Sequence, residues 1–173
     1  MAGQKSKKAE DMIVRYLDEE DLLNKKVSDS KVEFGYIFRF PPNQQRQSMQ
    51  VVHPINSDYV VISLGIRIPD VFVQALNAIE PHKKVQFYID IRKFLFTQNF
   101  LFRFELALNR FHISDQLYFK EGGQISKNKF FKTVRKIYNA SQYCILLLEE
   151  YCMDKIDKKY LEPSDLADPQ FYS

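Results

Sequence analysis

The stretch Phe100-Leu101-Phe102-Arg103-Phe104-Glu105-Leu106-Ala107-Leu108 alternates between two kinds of residue. Its even positions are all Phe or Leu, whereas its odd positions include an arginine and a glutamate. Successive side chains of a β-strand point to opposite faces, so this period of two predicts a strand over residues 100–108 with one buried face. We therefore expect the chain to be organised around a sheet.

The same alternation occurs in two earlier segments, residues 32–40 and 59–68. Proline cannot donate to a strand ladder, so Pro41-Pro42 ends the first of them. A shorter strand over residues 49–53 lies between the two, and a strand over residues 111–120 follows the turn at Asn109-Arg110. Short links favour antiparallel neighbours, so we predict a five-stranded, mostly antiparallel sheet.

Apolar residues at helical spacing predict helices before, between and after the strands. The first covers residues 8–24, and Pro69-Asp70 opens the second. Pro81 interrupts this second region because an interior proline removes a backbone donor. Ser126 suits the N-cap of a last helix over residues 127–153. The order α-βββ-α-ββ-α predicts an α+β fold.

The helical piece after Pro81, residues 82–98, is apolar on two sides. One side carries Val85, Tyr88 and Ile89, and the other carries Phe87, Ile91, Phe94 and Leu95. A helix with two apolar sides needs two covers. We expect the sheet to be one and something else to be the other.

With 173 residues, of which 45% are hydrophobic and 27% charged, the chain suits one soluble globular domain. We expect this domain to span residues 8–153, between a flexible leader of residues 1–7 and a C-terminal tail of residues 154–173. No apolar run approaches the roughly 20 residues that span a bilayer. The lysine-rich N-terminus also lacks the apolar core of a secretory signal, so we predict a cytoplasmic protein without a membrane segment.

The sequence contains none of the motifs that would indicate chemistry. Phosphate-binding, dinucleotide-binding and serine-hydrolase glycine motifs are absent, and the three histidines lack ligands at metal-site spacing. Cys144 and Cys152 are eight residues apart in one predicted helix, too far to bond, and are expected to be reduced and buried. We predict no catalytic residue, metal or cofactor.

The start of the last helix carries a basic cluster, Lys127, Lys129, Lys132, Arg135 and Lys136. Cations there oppose the helix dipole, each at an unfavourable ~0.3–1 kcal/mol. Either the cluster binds an anionic partner, or its side chains are screened by water and salt.

The polar face of the predicted sheet carries Arg39, Tyr59, Arg67, Arg103 and Tyr118 among apolar neighbours. Such a mixture occurs in protein interfaces and in platforms that bind single-stranded nucleic acid. Alternatively, another part of the chain or a second subunit covers this face.

Three segments, Phe38-Arg39-Phe40-Pro41-Pro42, residues 75–81 and residues 130–140, look like parts of an archaeal family of uncharacterised domains. The likeness covers roughly residues 8–153. The order of elements also resembles the fold of type III secretion chaperones. This resemblance implies a protein that dimerises and presents a sheet or helix surface to a polypeptide.

We therefore predict a non-catalytic, cytoplasmic, chaperone-like module that binds a protein partner, as a homodimer formed through its apolar helices or open sheet face. The sheet face would bury apolar side chains of the partner while the basic cluster attracts an acidic segment. The alternative is a single-stranded nucleic-acid-binding protein in which Tyr59 and Tyr118 stack on bases and the basic residues hold phosphates. An enzyme would instead require a deep pocket with convergent titratable groups.

Overall fold

Six antiparallel strands form one sheet in the computed structural model, which describes residues 2–42 and 47–156. The order across the sheet is β1-β2-β3-β4-β6-β5. The strands are β1 (Leu23–Lys26), β2 (Val32–Phe40), β3 (Gln47–Pro54), β4 (Tyr59–Arg67), β5 (Leu101–Glu105) and β6 (Arg110–Tyr118). The helices are α1 (Ala2–Glu19), α2 (Asp70–Ala78), α3 (Pro81–Thr97) and α4 (Lys127–Cys152).

The centre of the sheet is the pairing of β4 with β3 and β6. Val60, Ile62 and Leu64 alternate along β4 and are buried under the helices, as the period of two predicted. Helix α4 packs across β4 and β6 and also contacts α2 and α3. The core is therefore a single layer of helices on one face of the sheet.

The alternating stretch Phe100–Leu108 contains the edge strand β5, which is shorter than the strand predicted over residues 100–108. Strand β5 ends at Glu105, and Leu106–Leu108 form a 3-10 turn. Leu106 and Leu108 are 53% and 56% exposed, so the prediction that they face the core was wrong. The chain reverses here through Asn109, whose φ of 49° lies in the left-handed region, and the reversal begins before the alternation ends.

Sequence reasoning found five strands and missed β1. This four-residue strand has one apolar position, Leu23, and its first two residues fall within the helix predicted over residues 8–24. That helix in fact ends at Glu19, before Asp21 adopts a positive φ of 52°. Helix α1 also begins at Ala2, so residues 2–7, predicted as a leader, are helical.

Proline and serine positions set the remaining helix boundaries as predicted. Pro81 stands at the first turn of α3 and separates it from α2. The Ser126 hydroxyl accepts a 3.5 Å hydrogen bond from the Lys129 N–H at the start of α4. After α4, Met153–Lys155 form a 3-10 turn and Ile156 is buried. The rest of the predicted tail lies outside the described residues.

Within the described part of the chain, no helix combines the length and apolar character needed to cross a membrane.

Candidate binding surfaces

Two members of the basic cluster at the start of α4 are held by contacts within the chain. The Lys127 Nζ lies 2.8 Å from Glu19 Oε2 and 2.7 Å from Glu20 Oε1. The Lys136 Nζ donates a 2.9 Å hydrogen bond to the Gln98 carbonyl and lies 4.4 Å from the centre of the Phe100 ring. These contacts within the chain explain the positions of both positive charges, so neither requires an external partner.

The other three members, Lys129, Lys132 and Arg135, are exposed. None of them forms an ion pair with a residue in the ranges 2–42 and 47–156. Lys132 and Arg135 are three residues apart, and Asn128 lies four residues before Lys132. The side chains of Asn128, Lys132 and Arg135 therefore share one face of the helix. The helix dipole acts within the first turn, so among these three it opposes the charge of Lys129 only. Lys132 and Arg135 are exposed cations of the second and third turns.

A cavity of about 430 Å³ adjoins this part of α4. Its lining comes from the end of α1, the end of β2 and the first turns of α4: Glu20, Leu22, Phe40, Pro42, Lys127, Asn128, Phe131 and Arg135. Leu22 and Phe131 are buried. The Phe40 ring is half-buried and packs edge-on against Tyr138, with the ring centres 5.5 Å apart.

The cavity places an apolar floor beside cationic side chains, and its volume is typical of ligand sites. It can accept an apolar group while Arg135, which lines it, attracts an anion next to that group. Lys132, three residues before Arg135 on α4, adds a second positive charge on this part of the helix. Sequence reasoning found the cations but not the cavity. Leu22 and Phe40 lie far from α4 in sequence, and no local pattern indicates that they meet it.

All five residues predicted for the open face of the sheet do share that face, because each alternates with a core residue on its strand. These five residues form two separate groups, the two tyrosines and the three arginines. Tyr59 and Tyr118 pack against each other, with ring centres 5.3 Å apart. Tyr59 and Arg67 begin and end β4, which at about 3.3 Å per residue separates them by roughly 26 Å.

The arginines of this face are partly neutralised. Arg67 lies 3.8 Å from Asp70, and Arg103 lies 2.8 Å from Glu105. Arg39 stands on β2, opposite Ser48 of β3, and is exposed.

Glu105 is the centre of a charge network that sequence reasoning missed. Besides Arg103 it pairs with Arg110, and His112 Nε2 lies 3.6 Å from its Oε2. The hydrogen bond from Arg110 is the main reason that the pKa of Glu105 lies below its ordinary value. Cross-strand pairing brings these residues together, since Glu105 stands opposite Arg110 and Arg103 opposite His112.

The structure does not bring the two predicted sites together. Helix α4 lies on the core face of the sheet, and Lys132 and Arg135 are on its exposed side. Tyr59, Tyr118 and the three arginines are on the opposite face of the sheet. One ligand segment would have to pass around the edge of the domain to contact both groups.

A second cavity, of about 830 Å³, lies at the end of the sheet near the start of α1. His53, which is buried, lines it together with Glu33, Ser57 and Tyr59. A carbonyl can only accept, so His53 Nδ1, 2.9 Å from the Tyr59 carbonyl, carries the proton and donates it. Ser57 likewise donates to the Pro54 carbonyl at 2.8 Å. Ser57 Oγ lies 3.2 Å from His53 Nδ1, but an Nδ1 that donates its proton to the Tyr59 carbonyl cannot also accept the Ser57 proton.

Within the described residues no group of three or more His, Cys, Asp or Glu side chains could hold a metal ion.

Comparison with known proteins gives a family and a fold. The family model described as "Uncharacterized conserved protein (DUF2299)" matches residues 9–148. The crystal structure of an uncharacterized protein from Methanothermobacter thermautotrophicus is similar over 83% of this chain and 99% of that chain, with a TM-score of 0.73 and 20% identity. At this identity the likeness shows the fold alone.

The crystal structure of YbjN from E. coli aligns with a TM-score of 0.44 and 10% identity, over 83% of this chain and 92% of that chain. So low a score carries no argument about this chain. No curated protein sequence matches the chain.

Proposed function

This chain belongs to the DUF2299 family of uncharacterized conserved proteins, and we propose that it is a non-catalytic binding module for an acidic polypeptide segment that carries an apolar side chain. The observation that supports this proposal is the position of the cavity. Its apolar floor lies directly beside Arg135, and Lys132 stands three residues before Arg135 on the same helix. Neither residue has an acidic partner among the described residues.

Each part of the cavity has a separate role in this proposal. An apolar side chain of the ligand would be buried against Leu22, Phe40 and Phe131, with about 25 cal/mol gained for each Å² of apolar surface removed from water. Carboxylates flanking that side chain would pair with Arg135 and Lys132. Neither interaction alone is strong at an exposed site, so the ligand needs both.

This binding mode is compatible with the chaperone-like function that the order of elements suggests, because a chaperone holds apolar side chains of a polypeptide. It differs in place from the sequence-based prediction, which assigned the apolar contact to the open sheet face. We propose the α4 cavity instead because it combines apolar and basic groups within one site.

The nucleic-acid alternative stays a prediction with less support. Tyr59 and Tyr118 pack on each other, and roughly 26 Å separates Tyr59 from Arg67 along β4. Bases stacked on the tyrosines would leave their own phosphates far from the arginines. Affinity that falls steeply with salt for a single-stranded oligonucleotide would restore this alternative.

The test uses three fluorescein-labelled peptides and measures their binding by fluorescence anisotropy. The first, Asp-Glu-Phe-Glu-Asp, carries both acid and an apolar side chain. The second replaces every acid by its amide, and the third replaces Phe by Gly. We expect the first to bind at least about tenfold more tightly than either of the others, since each lacks one of the two interactions.

The matched variants are Lys132→Ala/Arg135→Ala and Lys83→Ala/Lys93→Ala. Both remove two exposed positive charges from a helix, but Lys83 and Lys93 are on α3, away from the cavity. We expect the first variant to weaken binding of the acidic peptide about tenfold and the second to leave it nearly unchanged. If both variants lost the same affinity for the peptide, the net charge of the protein would explain the effect, and the proposed site would be contradicted.

A further inference from the structure

Among the described residues, strand β5 is an edge of the sheet, and no strand of the ranges 2–42 and 47–156 pairs with the outer side of its backbone. Large apolar side chains surround it: Phe96, Leu101, Leu106 and Leu108 are between 52% and 67% exposed. The other edge is different, because β1 is short and carries Lys25 and Lys26, and lysines on an edge strand oppose further pairing.

A stripe of α3 continues this apolar surface. Val85, Ile89, Arg92 and Phe96 follow helical spacing and so lie on one side of the helix. The Phe96 ring packs edge-on against Phe102 at 4.9 Å, and the Arg92 guanidinium lies 5.2 Å from the centre of the Phe104 ring. Phe102 and Phe104 belong to β5, so the stripe runs along the exposed edge.

This stripe includes two members of the second apolar side that the sequence predicted for α3. The sheet and α4 cover the other side, where Phe87, Ile91 and Leu95 are fully buried. Val85 remains 58% exposed and Phe96 67% exposed. Within residues 2–42 and 47–156 nothing supplies the second cover.

We propose that a second copy of this chain supplies it. The two β5 strands pair antiparallel about a two-fold axis at Phe104, joining the two sheets into one, and the α3 stripes of the two copies pack together above them. An axis at this residue places Arg103 of each copy opposite Glu105 of the other. Within each copy Arg103 already pairs with Glu105 at 2.8 Å, so strand pairing would bring two such pairs together with each arginine facing the other copy's glutamate. Opposite charges that face each other across a strand pair stabilise the pairing.

The interface is independent of the α4 cavity, so the two proposals fail or succeed separately. Phe96→Asp/Leu106→Asp places charges in the apolar border of the edge. The matched control is Leu146→Asp, because Leu146 is 61% exposed on α4 and lies outside the proposed interface. Far-UV circular dichroism confirms that each variant is folded.

Sedimentation velocity over a wide concentration range measures the dimer. We expect wild type to dimerise, Phe96→Asp/Leu106→Asp to weaken the dimer at least about tenfold, and Leu146→Asp to match wild type. A wild-type protein that stays monomeric, or a control that weakens the dimer equally, would overturn the proposal.

A disulfide tests the register. Arg103→Cys/Glu105→Cys should form a covalent dimer under mild oxidation because these positions face each other across the axis, whereas Arg103→Cys alone should not. Covalent dimers from the single variant, or none from a folded double variant, would exclude an axis at Phe104.

Discussion

The Lys127 ammonium lies 2.7 Å from Glu20 Oε1, and both side chains line the cavity beside α4. This ion pair joins the end of α1 to the start of α4. It also neutralises a carboxylate that would otherwise repel an acidic ligand from the cavity. Lys127 therefore assists the proposed site although it is not free to pair with the ligand.

Changing Glu20 should alter peptide affinity in the opposite direction to changing Lys127. Glu20→Gln removes a negative charge from the cavity, so we expect the acidic peptide to bind about twofold to fivefold more tightly. Lys127→Ala leaves Glu19 and Glu20 uncompensated and should weaken binding by a similar factor. Glu150→Gln, far along α4, is the control for loss of a charge. Unchanged or weaker binding by Glu20→Gln would place the ligand elsewhere.

A buried hydrogen bond links α1 to the segment before α4. The Tyr16 hydroxyl donates to the Ile125 carbonyl at 2.8 Å, and both residues are buried. Tyr16→Phe leaves this carbonyl without a partner, so we expect the free energy of unfolding to fall by about 1–2 kcal/mol in urea denaturation. Tyr118→Phe is the matched control, since the Tyr118 hydroxyl bonds to Gln116 on the exposed face. Equal stability of the two variants would show that the Tyr16 bond contributes nothing.

Both cysteine thiols should be unreactive in the native protein. Burial raises the pKa of Cys144 to about 12 and that of Cys152 to about 11, so almost no thiolate forms at neutral pH. We expect a thiol reagent such as dithionitrobenzoate to label neither cysteine on the timescale of minutes and both in denaturant. Rapid labelling of the native protein would mean that the C-terminal half of α4 opens readily.

Glu10 should make stability sensitive to acid. Desolvation raises its pKa, but hydrogen bonds from the Tyr36 hydroxyl at 2.6 Å and from Lys26 at 2.9 Å outweigh this and hold the pKa below its ordinary value. A lowered carboxyl pKa stabilises the fold above the unfolded value, about 4.3, and this contribution disappears as the pH falls through the folded value.

Glu10→Gln tests this contribution. The variant should be less stable than wild type at pH 7 and should approach it in acid, as measured by thermal unfolding at a series of pH values. A constant difference between the two proteins over that range would contradict the assignment. Asp11→Asn, exposed on the same helix, is the control.

Local patterns predicted the elements of this fold better than their arrangement. Alternation along β4, Pro81 and Ser126 each act within a few residues, and the structure has the strand, the helix break and the cap that they predict. Strand β1 could not be found in this way. Its pairing with β2 comes from a neighbour across the sheet rather than from its own composition.

The candidate site shows the same limit. The basic residues of α4 can be recognised in the sequence because five of them occur within the ten residues 127–136. Two of them, Lys127 and Lys136, are paired within the described residues. Their partners are Glu19, Glu20, Asp115 and the Gln98 carbonyl, which come close to α4 only in the folded chain. The cavity likewise exists only where the end of β2 meets α4.

The most direct test of the binding proposal is a heteronuclear NMR titration of the labelled protein with the peptide Asp-Glu-Phe-Glu-Asp, which detects weak binding and locates it. We predict that the largest shifts fall on Leu22, Asn128 and Phe131, and that Lys132→Ala/Arg135→Ala abolishes them. Shifts centred on Tyr59 and Tyr118, or no shifts at saturating peptide, would contradict the account.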